Sequence, residues 1–401
     1  MSLKINPSNP YSFSERLLRT AVFQTAVSYA GWLERFLIWF FQAIAQHTFC
    51  PKLFDQQRAE QGLKGLINLG ANVKFVTPKD GMASIQMMTL QSKDLESKLH
   101  QFGAKWEKIV LPHLGGKSFI AIIPPPVSSP KWDIFEKDLQ RLKWKKQSIE
   151  MTPGKFQDVI VTCEDASSID LKDEHRNMFL HSNSASVNFV MLSGRIGFYL
   201  GCKQNVCFYD PRGSWKSQGT PSEGGYYNDI AAVYNEAKQN HAPQNIWVTS
   251  ACGGVPAAAY LKSQVHQDGV NFIFENGFSS LVKDFIEPEF CLVRKLAKAN
   301  LSGLSAKDIP AHLKPNETAF NIVELWKNLK KTDLGKVIWV RVKNDQRLDD
   351  KVSKRNLDLA KKVNSKVHLL DFNSTAKDPH SDRYYTHKGL KSRALKIIFK
   401  K

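Results

Sequence analysis

The chain has 401 residues, of which 42% are hydrophobic, and its 56 Lys and Arg against 38 Asp and Glu give a formal net charge of +18. This length predicts one large domain with additions or two domains, and the hydrophobic content excludes a chain that is disordered throughout. The positive charge predicts attraction to anionic partners such as acidic lipid headgroups. No zinc-finger spacing or RNA-binding signature accompanies the charge, so nucleic-acid binding is not expected.

The six cysteines form no CxxC pair and no dense framework, which favours reduced thiols in a cytosol-like compartment. No His and carboxylate cluster has the spacing of a metal site, so we expect no metal and no other cofactor. The N-terminus lacks the apolar stretch and cleavage site of a signal peptide, which predicts a cytoplasmic protein.

Residues 1–70 are predicted to form a helical region of their own. Ala21–Gln46 is dense in Phe, Trp, Leu and Ile, but Glu34 and Arg35 interrupt it, so a membrane-spanning helix is not expected. Two interpretations stay open. These helices pack against the main domain, or one of them lies in a membrane interface with its aromatic side chains among the lipids. The aromatic residues concerned are Trp32, Phe36, Trp39 and Phe40.

The next segment begins with a hairpin, because residues 73–87 alternate apolar and polar side chains around Asp80-Gly81. Residues 91–156 are interpreted as an insert. A polar helix is predicted near Ser92–Phe102, a linker or rim loop over Pro124–Pro130, and a second helix over Lys131–Gln147. A strand is predicted at 158–163.

From Arg176 onward, predicted strands and helices alternate. Strands are predicted at 178–181, 205–209, 246–248, 270–275, 336–342 and 366–372, and helices at 186–200, 224–239, 257–264, 351–363 and 390–399. Strands separated by helices imply right-handed crossovers and a mostly parallel sheet, so the predicted class is α/β.

One strand-to-helix connection has the pattern of a nucleophile elbow. The apolar run Ile246–Val248 leads through Ser250-Ala-Cys252-Gly253-Gly254 into a helix, and the small Ser250 and Gly254 leave room for a sharp turn with Cys252 at its apex. A position at a helix N-terminus favours the thiolate over the thiol. A buried cysteine that only fills space would explain Cys252 equally well if this pattern stood alone.

In parallel sheets, chemistry collects beyond the carboxyl ends of the strands. The four segments expected there are His181-Ser182-Asn183-Ser184, residues 210–223, residues 343–350 and residues 378–382. From about Val73 onward, these segments resemble the α/β-hydrolase superfamily. Asp210-Pro-Arg212-Gly213 opens a stretch similar to the Asp-x-Arg-Gly-x-Gly-x-Ser-x-Gly of enzymes that cleave acyl-protein thioesters and monoacylglycerols, and Trp215 replaces its second Gly. A further stretch, Glu275-Asn276 onward, is similar to the Glu-Asn-x-Phe-Thr-Ser of that family.

The resemblance implies a catalytic triad of Cys252 as nucleophile, His380 as acid and base, and Asp345 as the residue that orients the histidine. The peptide N–H groups of Gly253 and Asn183 would form the oxyanion hole. His181 is interpreted as support for the oxyanion loop, and Arg212 is implied to brace the same region. Asp349 and Asp350 are rival acids, His380 could instead be a surface residue, and Asp345 could be an ordinary turn residue.

Several residues depart from the family pattern. Ser182 stands where the family usually has Gly, and Arg341-Val342 stands where His-Gly is common. A sulfur nucleophile occurs in superfamily members that open lactone rings, so Cys252 is compatible with activity. An alternative elbow with Ser250 as nucleophile fits less well, because Val248 would then occupy a position that needs a small residue.

These expectations lead to a two-part organisation, with residues 1–70 followed by an α/β-hydrolase domain over 71–401 that carries the insert and a lid at about 278–335. We predict a hydrolase that cleaves an ester or thioester, of an acyl lipid or a lipidated protein, through an acyl-enzyme.

The alternatives are an inactive scaffold that binds a membrane or host protein, and a thiol-dependent acyltransferase. A weaker resemblance to chlamydial CHLPS-type and bacterial effector hydrolases leaves open peripheral membrane association or secretion into a host cell. Oligomeric state stays open.

Overall fold

A computed structural model describes ten parts of the chain. They are residues 56–170, 176–183, 188–220, 223–277, 322–326, 334–345, 350–364, 366–376, 379 and 382–399. The predicted aromatic helix at 21–46 and most of the predicted lid therefore lie outside the described residues, and both stay predictions. No helix within the described parts has the length and apolar character needed to cross a membrane.

A central sheet of eight strands organises the protein. Its strands are β1 (Asn72–Val76), β2 (Ile85–Leu90), β7 (Met178–Ser182), β8 (Asn205–Tyr209), β9 (Ile246–Ala251), β10 (Asn271–Glu275), β11 (Val337–Val342) and β12 (Val367–Phe372). Their order across the sheet is β1-β2-β8-β7-β9-β10-β11-β12. Only β2 runs antiparallel to the rest, so the predicted mostly parallel sheet is confirmed. The Asp80-Gly81 turn joins β1 to β2 as expected.

Helices cover both faces of this sheet, because β7 to β10 consist of buried residues throughout and need partners on each side. One face is covered by α1 (Gln56–Asn68), α2 (Ser92–Gln101), α3 (Pro130–Arg141), α4 (Ser193–Gly201) and α9 (Lys388–Phe399). The other is covered by α5 (Glu223–Lys238), α6 (Val255–Val265), α7 (Ile322–Trp326) and α8 (Asp350–Val363).

The insert is a second, antiparallel sheet, of which the sequence analysis predicted only the strand at 158–163. Its strands are β3 (Lys105–Leu111), β4 (Lys117–Ile123), β5 (Lys145–Thr152) and β6 (Lys155–Glu164), in the order β3-β4-β6-β5. The helix predicted over Lys131–Gln147 is too long. It ends at Arg141, and the chain turns at Lys143, whose φ is +65°, before β5 begins. The predicted loop ends where Ser129 caps α3 by accepting a hydrogen bond from the Trp132 N–H (3.2 Å).

The inserted sheet packs directly on α4. A Cβ added to Gly197 would lie 2.0 Å from the Leu142 carbonyl oxygen, and one added to Gly201 would lie 2.4 Å from that of Thr162. The Trp144 indole N–H donates to the Gly197 carbonyl (2.8 Å). These approaches tolerate no side chain at positions 197 and 201, so the inserted sheet and the segment before β5 pack tightly against α4.

Candidate active site

The turn after β9 places Cys252 in a strained and accessible position. The chain leaves the sheet at Ala251, makes one 3₁₀ turn over Cys252–Gly254 and enters α6 at Val255. Cys252 has a φ of +47°, a region that residues with a Cβ seldom adopt. It is partly exposed, whereas Ala251 and Gly254 are buried. A strained apex residue presented at the carboxyl edge of the sheet is the geometry of a nucleophile elbow.

Gly254 is required by the close approach of a neighbouring segment. A Cβ at this position would lie 2.3 Å from the Ser182 carbonyl oxygen and 2.5 Å from that of Asn183. The end of β7 therefore rests on the turn itself. This contact places Asn183 beside the 3₁₀ turn over Cys252–Gly254, which leads directly into α6.

Ser250 is buried within β9 and does not compete with Cys252. Its hydroxyl lies 3.4 Å from the Ile273 carbonyl oxygen of the adjacent strand, and the residue is fully enclosed. The burial of this hydroxyl therefore argues against the alternative elbow with Ser250 as nucleophile.

The end of β7 carries three buried polar residues, His181, Ser182 and Asn183. His181 Nδ1 lies 2.7 Å from the Thr249 hydroxyl. Burial, together with the positive charges of Arg195 and Arg383, holds the pKa of His181 well below its usual value, so the ring is neutral. The Ser182 hydroxyl lies 3.2 Å from the Tyr209 hydroxyl. The side chain that departs from the family glycine is thus accommodated against β8.

Asp210, at the end of β8, holds the segment that follows β7. Its Oδ1 accepts hydrogen bonds from the Asn183 side-chain amide (2.9 Å) and from the Phe189 backbone N–H (2.8 Å). Burial raises the pKa of Asp210 above its usual value, and these two donors act against that shift. The sequence analysis gave this residue no role, although its place at the end of a buried strand was a signal.

Arg212 contacts other partners than the oxyanion segment that it was expected to brace. Its guanidinium donates to Asp229 of α5 (2.7 and 3.0 Å) and lies 2.8 Å from Asp80 in the β1–β2 turn. It therefore joins the β8 loop to α5 and to the hairpin, and the bracing is done by Asp210. Trp215, which replaces a family glycine, has a φ of +45° and packs edge-on against Phe189.

Asp345 lies in the loop after β11, and this loop is tied to the one after β12. Asn344 makes two hydrogen bonds with the backbone of Ser374: its amide donates to the carbonyl (2.8 Å), and its oxygen accepts from the N–H (2.8 Å). Asp345 itself is half-buried. Asp349 lies outside the described residues, and Asp350 is described only as the first residue of α8.

His380 lies outside the described residues, but the residues around it form a hydrogen-bonded group. The Ser374 hydroxyl donates to Asp382 and accepts from the Ala376 N–H (3.0 Å). The Asp382 carboxylate also lies 2.8 Å from Nε2 of the His387 ring. Both sides of the His380 position are thus linked through Ser374 and Asp382. Sequence reasoning assigned no role to Asp382 or His387, because their pairing is visible only in three dimensions.

The strand order with a single antiparallel second strand, together with the strained turn after β9, decides the fold. The protein has the α/β-hydrolase fold. No protein-family model matches the sequence, and no curated protein matches it either. Among solved structures, the chain is similar to an esterase from Pyrococcus furiosus (12% identity, 87% of this chain and 94% of that chain, TM-score 0.44). It is also similar to an alpha-beta hydrolase from Vibrio vulnificus, with 18% identity over 54% of this chain and 73% of that chain and a TM-score of 0.42. The strand order, and not these similarities, carries the assignment.

In this α/β-hydrolase fold, a buried ion pair lies next to the elbow. Arg195 of α4 and Glu275 at the end of β10 are each 1% exposed and form a two-pronged ion pair. Glu275 pairs in register with Ala251, directly before Cys252. Arg195 also lies 5.5 Å from the ring of Tyr385. This pair joins α4 to the end of β10, the strand next to β9 and the turn at Cys252.

Among the described residues, no group of three or more His, Cys, Asp or Glu side chains is arranged to hold a metal ion. The polar groups near the turn are instead committed to one another, as in the contacts of Asp210 and of the Arg195–Glu275 pair. A partly exposed cysteine thiol at such a turn is chemically able to act as a nucleophile.

Proposed function

We propose that the protein is a hydrolase that cleaves an acyl ester or thioester through Cys252. The observation that carries the proposal is the position of this residue: partly exposed, with a φ of +47°, at the apex of the turn between β9 and α6. Strain of this kind is maintained only where surrounding structure enforces it, and here Gly254 and the end of β7 do so. The α/β-hydrolase fold uses the same position for its nucleophile.

The proposed reaction proceeds through an acyl-enzyme. The Cys252 sulfur forms a bond to the substrate carbonyl carbon while its proton passes to His380, and the alcohol or thiol then leaves with that proton. Water next adds to the thioester carbonyl and gives a proton to His380. The carbon–sulfur bond breaks, and Cys252 recovers the proton. Asp345 would orient the histidine and stabilise its charged form.

The oxyanion would be held by the N–H groups of Gly253 and Asn183. Gly253 lies in the 3₁₀ turn just before α6, close to the helix N-terminus, where free N–H groups and the positive end of the helix dipole favour negative charge. Asn183 is held beside it by the Asp210 carboxylate and by the contact of its carbonyl with Gly254. Removing one such donor typically costs about 3–4 kcal/mol of transition-state stabilisation.

The substrate class in this proposal is an acyl lipid or a lipidated protein at an anionic membrane. The net charge of +18 supports attraction to such a surface. A thioester formed with Cys252 is itself reactive, so hydrolysis of the intermediate is chemically accessible.

The test is hydrolysis of p-nitrophenyl esters and acyl thioesters of increasing chain length, comparing the wild type with Cys252→Ala and Cys252→Ser. We expect Cys252→Ala to lower kcat/KM at least about a thousandfold, because the nucleophile of a catalytic triad carries most of its rate enhancement. Cys252→Ser would retain part of the activity, since serine is the usual nucleophile of this fold.

Labelling with iodoacetamide supplies a second readout. Burial raises the pKa of Cys202 and, to about 12, that of Cys207, so neither competes as a thiolate. Among the cysteines in the described parts of the chain, we expect fast modification at Cys252 alone, and this labelled site should disappear in Cys252→Ala. Undiminished turnover in Cys252→Ala would contradict the proposal. Absence of turnover in a folded wild type with an unreactive Cys252 would favour the inactive scaffold.

A further inference from the structure

The positive charge of the chain is concentrated in its last part. Residues 334–401 contain 18 Lys and Arg against 7 Asp and no Glu, a net charge of +11 out of the total of +18. The first 333 residues, with 38 basic and 31 acidic side chains, account for only +7. The described residues of this part of the chain build one edge of the central sheet through β11, α8, β12 and α9.

The charges lie where β12 forms the edge of the central sheet. The buried sides of α8 and α9 pack on opposite faces of the sheet next to this strand, through Leu357 and Ala360 on one face and Leu395 and Ile398 on the other. Their outer sides and the start of β12 carry exposed basic side chains, which we call the basic edge: Lys361, Lys362, Lys366, Lys388, Arg393 and Lys396.

Basic side chains lie close enough together at the start of β11 and β12 to act on one another. Burial, and then the charge of Lys366, lower the pKa of Lys336. Burial, and then the charge of Lys336, lower that of His368 on β12. An apolar side chain accompanies the charges, because Leu334 is 62% exposed and its carbonyl lies 3.4 Å from the Lys366 ammonium. Asp358 is the exposed acidic side chain among the described residues of β11, α8, β12 and α9.

We infer that the basic edge docks the protein on an anionic lipid bilayer. Five of its six residues are lysines, whose compact charges suit loosely ordered headgroups better than the planar, paired contacts that arginine makes with nucleic acids. No Phe, Tyr or Trp is exposed among the described residues from Leu334 to Phe399, so the stacking platforms of single-strand binding are missing there. The exposed Leu334 adds an apolar contact suited to the headgroup region.

The basic edge and the proposed site lie at different ends of β12. The loops after β11 and β12, which carry Asp345 and the His380 position, leave the sheet at its carboxyl end, whereas Lys361, Lys362 and Lys366 precede β12 and lie at its amino end. Docking through these lysines therefore does not cover the proposed site. The choice of an acyl lipid as substrate rests on the proposed function, whereas docking is measured without it.

The test is co-sedimentation of the full-length protein with vesicles of phosphatidylcholine alone or with added phosphatidylserine. The edge variant combines Lys361→Gln, Lys362→Gln and Lys366→Gln. The matched control combines Lys105→Gln, Lys117→Gln and Lys145→Gln, which remove the same charge from exposed positions of the inserted sheet. Each basic residue near an anionic surface contributes about 1 kcal/mol, so we expect the edge variant to bind roughly a hundredfold more weakly. The control should change little.

Binding should require phosphatidylserine and should be lost at about 1 M salt, where the Debye length falls to about 3 Å. An equal loss in both variants would reduce the effect to net charge and overturn the inference. So would tighter binding to a single-stranded oligonucleotide than to the vesicles. Absence of vesicle binding in the wild type would also contradict the inference. The lysines would then be explained as charges that prevent β12 from pairing with the edge of another sheet.

Hydrolysis of a soluble p-nitrophenyl ester without vesicles separates this inference from the proposed function. We expect the edge variant to match the wild type in that assay, because the exposed sides of α8 and α9 do not contact Cys252. A protein that binds vesicles but hydrolyses nothing would contradict the proposed function alone. A protein that hydrolyses esters but does not bind vesicles would contradict the docking alone.

Discussion

The two sides of the candidate site are held by different means. On the nucleophile side, meaning residues 251–254 and the ends of β7 and β10, the contacts are buried: Gly254 admits no Cβ beside Ser182, and Glu275 pairs with Arg195 out of reach of solvent. On the acid and histidine side, meaning the ends of β11 and β12 and the loops after them, side chains such as Asn344 make hydrogen bonds to the backbone. The first side is specified by buried contacts, and the second by polar contacts nearer to solvent.

This difference implies different tolerances. A close-packed backbone has no means of relaxing when a methyl group is added, so changes on the nucleophile side should affect stability and activity together. A loop held by partly exposed hydrogen bonds loses only about 1 kcal/mol per bond, so changes there should alter activity more than stability. The following predictions test this distinction.

The largest effect is expected from Glu275→Gln on the nucleophile side. The substitution leaves the Arg195 guanidinium buried without a charged partner, which should lower the free energy of unfolding by about 3–5 kcal/mol. Urea denaturation followed by circular dichroism measures it. The control is Asp371→Asn, which breaks the half-exposed pair with Arg341 (3.0 Å) and should cost at most about 1 kcal/mol. Equal costs for the two variants would remove the distinction between the two sides.

Gly254→Ala should come next. The added Cβ meets the Ser182 and Asn183 carbonyl oxygens, so backbone must shift, at a cost of about 1–3 kcal/mol in stability. The shift would also displace the proposed oxyanion donors and lower kcat. The matched control is Gly224→Ala in α5, where the new Cβ has open space and should be neutral or stabilising by up to about 1 kcal/mol. Wild-type stability and kcat in Gly254→Ala would show that this contact does not position the turn.

A pH dependence should follow from His181. Burial, Arg195 and Arg383 lower its folded-state pKa, whereas the unfolded chain titrates near 6.5. Below about pH 6.5 the unfolded state binds the proton first, so stability should fall by up to about 1.4 kcal/mol per pH unit. Above that pH, the contribution of His181 to the free energy of unfolding is constant. His181→Asn, which keeps a polar partner for Thr249, should show a flatter acid limb in urea titrations; an unchanged slope would place the titration elsewhere.

The smallest effect is expected from Asn344→Ala on the acid and histidine side. Two neutral hydrogen bonds to Ser374 are lost, but Asn344 is exposed, so stability should fall by only about 1 kcal/mol. Because the loop carrying Asp345 loses its tie to the loop carrying His380, we expect kcat to fall about tenfold with KM within about twofold. Thr375→Ala, an exposed neighbour, is the control. A rise in KM with kcat unchanged would indicate substrate binding instead of positioning.

Much of the fold could be predicted because its signals are local. Apolar strands alternate with helices from Met178 onward, and the Asp80-Gly81 turn marks the β1–β2 hairpin. The other three strands of the inserted sheet were missed for physical reasons. Strand β5 begins Lys145-Lys146-Gln147, residues that favour helices, and becomes a strand only by pairing with β6. Strand β4 is apolar without alternation, because both of its faces are buried.

The difference between local signals and contacts of distant residues also applies to the candidate site. The elbow around Cys252 was predictable because a strand, a sharp turn and a helix are contiguous in sequence. The contacts that support the elbow were not predictable. Asp210 reaches Asn183 across the sheet, and Arg212 reaches Asp80 in the β1–β2 turn, so neither contact leaves a periodic trace in the sequence. The family resemblance gave the bracing role to Arg212, and the geometry transfers it to Asp210.

The place of the insert has a consequence for how the chain folds during synthesis. Strand β2 must wait for β8, and the hydrogen bond from Ser92 to Asn205 already spans 113 residues. At about 5–20 residues per second, the β1–β2 hairpin waits roughly ten seconds for its partner. The inserted sheet pairs near neighbours, so it has low contact order and can form during this interval. We therefore expect substitutions in β3 to β6 to reduce the yield of soluble protein before they alter the rate of hydrolysis.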